Sequence, residues 1–323
     1  MNHLSADTQK KLTNRVIVGA VLAAIGIPAI IIGGWFLIVF AVIALFFAVH
    51  EFTNARPHNR YKLAIHIFIM VMTFSIVFWI FIKNNLNMYG FDLAKWTFKT
   101  SLGQLEVSTI GIAVTVLVLF LSSIQNQNFK IDDATYLFTM VILTGISFQA
   151  FLVLRFFPIY SFDDWAIDIP WWSTSFLLIY VLIGNFMSDI GAYFVGILFG
   201  RSKMNPRISP KKTWEGFFGG VIFSFAFSLA FALLVSALGY PLLPFMTEDE
   251  WYWLVGLSLA MPLMANLGDF LFSAIKRHFD IKDFSTIFQS HGGMLDRIDS
   301  LLVTSLFVAI VVTFINSGWN FLA

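Results

Sequence analysis

Long apolar runs constrain this chain more than any other feature of its sequence. Hydrophobic residues make up 58% of it and charged residues only 12%. Most runs approach the ~20 residues that an α-helix needs to cross the hydrocarbon of a bilayer, and they are too long for a soluble core. The sequence therefore predicts an all-α polytopic membrane protein with about nine transmembrane helices. The runs are 15–33, 35–50, 62–82, 107–124, 135–157, 174–199, 216–240, 251–275 and 300–316.

The chain is expected to form one membrane domain, because no repeat, low-complexity tract or long linker divides it. Residues 1–14 are predicted to be a cytoplasmic tail and 15–323 a single transmembrane domain. Within it, 15–172 supply N-terminal helices, whereas 173–323 supply the catalytic helices and cytoplasmic loops, since acids in or beside the apolar runs concentrate there. A Gly-Gly pair separates the first two runs, which fits either a kinked hairpin or one long tilted helix.

Lysine and arginine collect in the segments that nine spans place on one side of the membrane, and this bias marks the cytoplasmic side. Opposite loops carry acids, although three lysines between 83 and 99 depart from the rule. The N-terminus is therefore predicted to be cytoplasmic and the C-terminus external. The basic segments are 10–15, 56–62, 201–212 and 276–297.

The eighth apolar run carries a polar stripe at intervals of three and four, the spacing of one helix face. Its members are Asn266, Asp269, Ser273, Lys276 and Asp280. An aspartate in hydrocarbon costs on the order of 3 kcal/mol, so Asp269 needs a partner, a cation or water. A structural ion pair with a neighbouring helix is one interpretation, and a functional site is the other.

The sixth run has a comparable stripe of polar and small residues. Small residues alone favour close packing of two helices. An acid on the same stripe favours a site instead. The stripe consists of Asn185, Asp189, Tyr193, Gly196 and Gly200.

Segment 200–220, between the sixth and seventh runs, is rich in basic residues. Ser209 and Pro210 have the residue types of a helix N-cap and first helical position, so we expect Lys211 and Lys212 in the first turn of the seventh helix. The lysines and the helix dipole would together stabilise an anion there. The pattern predicts a phosphate site, with ordinary positive charge in a cytoplasmic loop as the alternative.

Segment 273–299 holds the largest concentration of charge in the chain. Carboxylates mixed with cations at a membrane surface fit Mg²⁺ bridging to phosphates, because Mg²⁺ is usually held by one or two carboxylates plus substrate oxygens. Glycines 292 and 293 let the backbone approach a ligand closely. A solvated charged face is the alternative. The charged residues include Lys276, Arg277, Lys282, Asp296, Arg297 and Asp299.

These residues resemble the signature of the phosphatidate cytidylyltransferases, the CDP-diacylglycerol synthases. The segment Ser273–Asp299 contains S-x-x-K-R, then K-D, then H-G-G-x-x-D-R-x-D in that family's order and spacing. Asp269 stands four residues before Ser273, as in the family's N-x-G-D-x-x-x-S-x-x-K-R run. Upstream, 189–216 is similar too, with D-I-G-A-Y and I-S-P-K-K-T-W-E-G. The likeness covers about residues 185–300.

The resemblance implies transfer of a cytidylyl group from CTP to phosphatidic acid, giving CDP-diacylglycerol and pyrophosphate. It implies Mg²⁺ as the cofactor, with a second cation left open, and metal ligands at Asp269, Asp296 and Asp299. The catalytic residues it implies are Asp269, Ser273, Lys276, Arg277, Lys282, Asp283, His291, Asp296 and Arg297. The substrate-binding residues it implies are Asp189, Tyr193, Arg201, Ser209, Lys211, Lys212, Glu215, Gly292 and Gly293.

The resemblance also implies a homodimer in the cell (cytoplasmic) membrane, with CTP, phosphatidic acid and bilayer lipid as partners, no nucleic acid, and an active site facing the cytoplasm. The chain departs from the family's usual Gly at Ser285 and from its usual Pro-Gly at Gln289-Ser290. These departures make the loop before His291 the least transferable part of the likeness.

Two rival functions stay open. A secondary transporter of an anionic substrate would also place acids and broken helices near the midplane, but it would not need the basic surface loop. A CDP-alcohol phosphotransferase is the nearer enzymatic rival, yet its D-G-x-x-A-R-type motif is missing. The chain has no cysteine and hence no thiolate nucleophile.

Overall fold

The computed structural model describes residues 24–56, 61–83, 107–164, 169–246, 250–287 and 292–316. Most of these residues are helical, and within them one β-hairpin interrupts the succession of helices. A short 3₁₀ turn, Ser173–Ser175, leads into the sixth helix. The helices are α1 (described part 24–32), α2 (Gly34–Thr53), α3 (Leu63–Lys83), α4 (Val107–Gln125), α5 (Ile131–Asp164), α6 (Phe176–Phe199), α7 (Trp214–Ala237), α8 (Trp251–His278) and α9 (Leu295–Asn316).

Six helical stretches in the described residues are long and apolar enough to cross a bilayer. The apolar stretches of α3 and α4 there are shorter, Leu63–Phe78 and Ile110–Gln125. The prediction of a helical polytopic membrane protein is therefore confirmed, while the predicted number of nine spans stays a prediction. The predicted tail, 1–14, lies outside the described residues. The six stretches are Gly34–Thr53, Ile131–Ile159, Ser173–Phe199, Trp214–Ala237, Trp251–His278 and Leu295–Asn316.

The first two apolar runs form separate helices because the backbone breaks at Gly33. Gly33 and Gly34 have φ of 67° and 52°, a region that glycine enters without steric cost. The carbonyl oxygens of Ile30 and Ile31 at the end of α1 accept hydrogen bonds of 2.7 and 3.0 Å from the buried Arg155 guanidinium. A cation at a helix C-terminus also complements the dipole, so Arg155 stabilises the break.

Two hydrophobic clusters fill the interior of the described helices. One involves mainly α2, α3 and α5, and includes Phe52 and Phe272. The other involves mainly α6, α7 and α8, and includes Tyr180 and Met261. Because α5, α8 and α9 contribute to both clusters, they connect the N-terminal helices to the C-terminal ones.

The pair α6 and α7 makes the most extensive contact among the described helices. A Cβ atom on Gly191 would lie 2.7 Å from the carbonyl oxygen of Gly219, and one on Gly220 would lie 2.7 Å from that of Ser188. Such close approach through small residues is a common way for transmembrane helices to associate. Gly191 and Gly220 therefore let α6 and α7 pack closely, and on the α6 stripe itself a Cβ atom on Gly196 would lie 3.6 Å from the Cα of Gly216 on α7.

The connection between α6 and α7 corrects one prediction. Ser209 and Pro210 do not begin a helix, because they lie in a strand, β2 (Ser209–Thr213). This strand pairs antiparallel with β1 (Lys203–Asn205). Proline favours an extended conformation in the residue before it and is tolerated at the start and edge of sheets, so Ser-Pro here belongs to a strand. The protein is thus helical except for this hairpin in the described residues.

The helix α7 begins four residues later than expected from Pro210. Its N-cap is Thr213, whose hydroxyl accepts a hydrogen bond of 3.2 Å from the main-chain N–H of Gly216. Lys211 and Lys212 consequently lie on the strand before the helix. The expectation that they occupy the first helical turn is wrong.

Candidate active site

A cavity of about 320 Å³ lies between α6, α7, α8 and the β-hairpin. Its volume falls at the lower end of the range for small-molecule sites. The polar lining comes from both segments that the sequence singled out, upstream on α6 and β2 and downstream on α8. The polar lining residues named in the predictions or on the α8 stripe are Asp189, Tyr193, Lys211, Lys212, Asn266 and Asp269.

Lys212 joins the two segments at this cavity. Its Nζ lies 2.6 Å from Oδ2 of Asp269 and donates to Oδ1 of Asn266 at 3.2 Å. The same Nζ lies 4.6 Å from the ring centre of Phe270. The Lys212 and Asp269 side chains are 27% and 24% exposed, so both remain accessible to a ligand. Asp269 has an ion-pair partner, as expected, but the partner lies on the hairpin and the pair lines the cavity.

A second, buried ion pair lies between α8 and α9. Nζ of Lys276 is 2.7 Å from Oδ1 of Asp296 and 3.8 Å from Oδ2 of Asp299. The other oxygen of Asp296 accepts hydrogen bonds of 2.9 Å from the main-chain N–H groups of Phe284 and Gly293. The Lys276 and Asp296 side chains are only 9% and 3% exposed. This pair therefore organises the polypeptide that joins the two helices.

Two further contacts hold the hairpin in place. Nε of Arg277 donates to the carbonyl oxygen of Ile208 at 3.4 Å, and Nη1 donates to that of Ile281 at 2.9 Å. Before β1, the main-chain N–H groups of Arg201 and Ser202 donate hydrogen bonds of 3.1 Å to the Glu215 carboxylate on α7. Arg277 thus links α8 to the hairpin, and Glu215 links the hairpin to α7.

Three helices each bring an acid to the same region. Asp269 on α8 interacts electrostatically with Asp189 on α6 and with Asp299 on α9. Repulsion among three carboxylates needs compensation, and cations from β2, α8 and α9 supply it. These cations are Lys212, Lys276 and Arg297.

The remaining predicted residues lie around this region or outside the described chain. Ser273 is partly buried on α8, while Lys282 and Asp283 are exposed after its end. Gly292 has φ of 75°, a backbone conformation that favours glycine. His291 lies outside the described residues, so its predicted role stays a prediction.

The acids of the site fit magnesium in part. Asp189 and Asp269 line the cavity and are not buried. Both oxygens of Asp296 already accept hydrogen bonds, and one oxygen of Asp299 accepts from the Ser300 N–H at 2.8 Å. In the described part of the chain, no three His, Asp or Glu side chains group closely enough to hold a metal by themselves. The donor set therefore suits Mg²⁺ held by one or two carboxylates and by substrate phosphates.

Glu51 is absent from the residues that the sequence predicts for the site, yet it is a buried acid at the end of α2 whose carboxylate contacts the segment between α8 and α9. The one sequence feature that could have indicated this contact is the position of Glu51 directly after the apolar run 35–50. A glutamate at the end of a membrane span is also typical of an exposed helix end, so the position alone did not reveal the contact.

The fold and the site define a polytopic membrane protein in which lysines and acids from separate helices surround one cavity. The chain belongs to the cytidylyltransferase family, whose sequence model matches residues 13–315. It is similar to a phosphatidate cytidylyltransferase of Bacillus subtilis, at 31% identity over 199 residues, which span 62% of this chain and 65% of that protein.

Staphylococcal proteins of the same name are also similar. The Staphylococcus epidermidis protein is 28% identical over 289 residues, which span 89% of this chain and 94% of that protein. The Staphylococcus aureus protein is 31% identical over 191 residues, which span 59% of this chain and 64% of that protein. The family resemblance is confirmed, and it extends well beyond residues 185–300 into the N-terminal helices.

Proposed function

We propose that this chain is a phosphatidate cytidylyltransferase, an integral membrane enzyme that makes CDP-diacylglycerol for phospholipid synthesis. Membership in the cytidylyltransferase family and the names of the relatives support this activity. The structural observation that carries the proposal is the contact of Lys212 with Asp269, because it joins both motif segments at one cavity.

The reaction needs no side-chain nucleophile. A phosphate oxygen of phosphatidic acid attacks the α-phosphorus of CTP, and the bond from that phosphorus to the oxygen bridging to the β-phosphate breaks. Pyrophosphate leaves with the electron pair. The protein therefore contributes by positioning the two phosphates and by neutralising their charge.

The cations divide into two groups by their contacts. Lys211 and Lys212 line the cavity, and the exposed Arg297 interacts with Asp189, so these three are placed to bind phosphate oxygens. Lys276 is buried and holds Asp296. Arg277 braces the hairpin that carries the cavity lysines. Arg277 is therefore expected to affect the reaction by keeping the cavity lysines aligned.

Mg²⁺ is the cofactor that we propose, with a second cation left open. Asp269 and Asp189 would hold it beside the phosphates, whereas Asp296 and Asp299 would need to give up existing hydrogen bonds to do so. When bound, the ion would neutralise charge on the triphosphate. The protein's own task is to keep both carboxylates at the cavity wall.

The membrane arrangement we propose has nine spans, a cytoplasmic N-terminus and an external C-terminus in the cell membrane. The positive-inside rule supports it, because it places segments 201–212 and 276–297 together on the cytoplasmic side. The contact of Arg277 with Ile208 also supports this arrangement, because it brings the two segments together. A homodimer is the assembly that the family resemblance implies, and the mass of the purified protein in detergent tests it.

The activity is tested with purified protein, labelled CTP and phosphatidic acid in mixed micelles. We expect CDP-diacylglycerol and pyrophosphate in equal amounts, loss of turnover on chelation, and recovery with Mg²⁺. Product formation from a CDP-lipid and an alcohol would indicate a phosphotransferase instead. Uptake of an anion into sealed vesicles without any nucleotide would indicate a transporter.

The role of Asp269 is tested by Asp269→Asn, which removes the charge and preserves the shape. Turnover should be abolished, and activity within about tenfold of wild type, only ~1.4 kcal/mol of barrier, would contradict the role. Asp280→Asn is the matched control, since Asp280 is an exposed acid just beyond α8 with φ of 55°, a conformation that asparagine tolerates. It should keep wild-type turnover.

A further inference from the structure

Glu51 is the only acid of α2 and is almost fully buried, with 1% of its surface exposed. Its carboxylate accepts hydrogen bonds from Oγ of Ser285 at 2.7 Å, from the N–H of Met294 at 2.7 Å and from the N–H of Leu295 at 2.8 Å. Among the described residues, no cation forms an ion pair with it. Burying a carboxylate is costly unless polar partners replace the water it loses, so these three donors need an explanation.

The three donors all belong to the polypeptide that joins α8 to α9. Met294 and Leu295 supply N–H groups at the start of α9, which have no acceptor within the helix. A carboxylate at this end also complements the helix dipole. Ser285 approaches the same carboxylate from the α8 side of the connection. Glu51 therefore fixes the connection at two separate points.

Gly293 lies between Glu51 and the buried ion pair of the site. A Cβ atom on Gly293 would overlap the Glu51 carboxylate, so the contact requires glycine. The N–H of Gly293 donates to Asp296, which in turn holds Lys276. Glu51 and the pair between α8 and α9 are therefore separated by a single residue.

Glu51 is itself held firmly by neighbouring helices. The hydroxyl of Tyr136 on α5 donates to the carbonyl oxygen of Phe52 at 3.0 Å. The ring of Tyr136 packs edge to face on Phe279, just after α8, with 4.6 Å between ring centres. The end of α2 is thereby fixed against both α5 and α8, and it can serve as a support for α9.

From these contacts we propose that Glu51 is a positioning residue, which acts through the main chain of Met294 and Leu295 to set Asp296 against Lys276. Its catalytic consequence rests on the function proposed above. Glutamine in its place offers one oxygen where two are needed, so one main-chain donor would face an amide NH₂ group. Because Glu51 bonds to none of the cavity-lining residues in the described part of the chain, its loss should lower kcat and leave the KM for CTP nearly unchanged.

The first test compares Glu51→Gln with Asp133→Asn. Asp133 is also an acid with 1% exposure, but it binds Arg56 and Tyr61 away from the connection between α8 and α9. Per folded molecule, Glu51→Gln should lower kcat at least about tenfold, because small misplacements of reacting groups are expensive. Asp133→Asn should stay within about twofold of wild type in kcat. A kcat near wild type for Glu51→Gln, or equal losses in both variants, would overturn the proposal.

A second test does not depend on activity. Hydrogen–deuterium exchange at Met294 and Leu295 should be slow in the wild-type protein, much faster in Glu51→Gln and unchanged in Asp133→Asn. Unchanged exchange in Glu51→Gln would overturn the positioning role. If the wild-type protein makes no product from CTP but exchange accelerates as expected, the proposed function fails and the structural role of Glu51 stands.

Ser285→Ala replaces Glu51→Gln if that variant does not fold. It removes one donor of three and leaves both main-chain donors in place. Exchange at Met294 should then rise and kcat should fall by about threefold, with KM unchanged. If neither quantity changes in Ser285→Ala, Glu51 does not position the connection through this contact.

Discussion

Asp296→Asn should destabilise the protein far more than Asp269→Asn, although both change one carboxylate into an amide. The carboxylate of Asp296 has 3% exposure and is bonded to Lys276 and to two main-chain N–H groups. Removing one partner of a buried ion pair costs about 3–5 kcal/mol, because the other charge stays buried. The structure therefore predicts that Asp296→Asn loses stability as well as turnover.

Asp269 is about a quarter exposed, as is its partner Lys212. Pairs that water can reach contribute about 0–1 kcal/mol, so Asp269→Asn should cost roughly that much. A difference of about 2–5 kcal/mol between the two variants corresponds to roughly 4–20 °C in melting temperature, at about 2–4 °C per kcal/mol for chains of moderate size. Turnover should be lost in both, and only the stability should separate them.

The assay is thermal unfolding of both variants in the same detergent, followed by fluorescence. Lys276→Met combined with Asp296→Leu removes both charges of the pair, so it should recover part of the stability that Asp296→Asn loses. Recovery should stay incomplete, because the N–H groups of Phe284 and Gly293 lose their acceptor. Equal melting temperatures for Asp296→Asn and Asp269→Asn would refute the reasoning. They would mean that Asp296 is solvated and free to act as a ligand.

Three further predictions concern the hairpin and the membrane arrangement. Lys212→Ala should mainly raise the KM for one phosphate substrate, whereas Arg277→Ala should mainly lower kcat by releasing the hairpin. If both variants instead change only KM, and by similar factors, this division of roles is wrong. Ser202→Cys and Ile287→Cys, exposed positions in a chain without native cysteine, should both react with a thiol reagent from the cytoplasmic side, and labelling from opposite sides would refute the topology. Thr213→Ala should lower stability by about 1 kcal/mol through loss of the α7 cap, and Thr213→Ser should recover most of the melting temperature.

The sequence alone predicts that the protein is helical and that its two charged segments lie close together. The length of the apolar runs indicates membrane-spanning helices. A ligand shared by the basic and acidic motifs requires those motifs to converge. The 3–4 spacing also placed Asp269 on a helix face with Asn266, and both contact Lys212. The spacing predicts this shared face correctly because the two residues lie within one turn of the same helix.

The hairpin shows where local signals become ambiguous. Ser209 and Pro210 suit a helix N-terminus and an edge strand equally well. The decision depends on pairing with Lys203–Asn205 and on the cap supplied by Thr213. Neither interaction can be read from the Ser-Pro pair itself.

Glu51 shows a different limit, because its partners are remote along the chain. The spacing of Met294 and Leu295 predicts a helix start but does not identify the acceptor of their N–H groups. Likewise, the spacing of Asp296 and Asp299 on α9 could not reveal that Lys276 on α8 forms ion pairs with both. Such contacts depend on how the helices pack.

The contacts of Glu51 also determine when a newly made molecule can become active. The carboxylate and its donors are separated by 234, 243 and 244 positions along the chain. Domains are synthesised from the N-terminus, so α2 enters the membrane long before its partners leave the ribosome. Until α9 begins, the acid at the end of α2 lacks both of its main-chain donors, and the connection that follows α8 lacks its second point of attachment. Assembly of this enzyme therefore needs the start of α9, and a chain that stops before α9 should accumulate in the membrane without turnover.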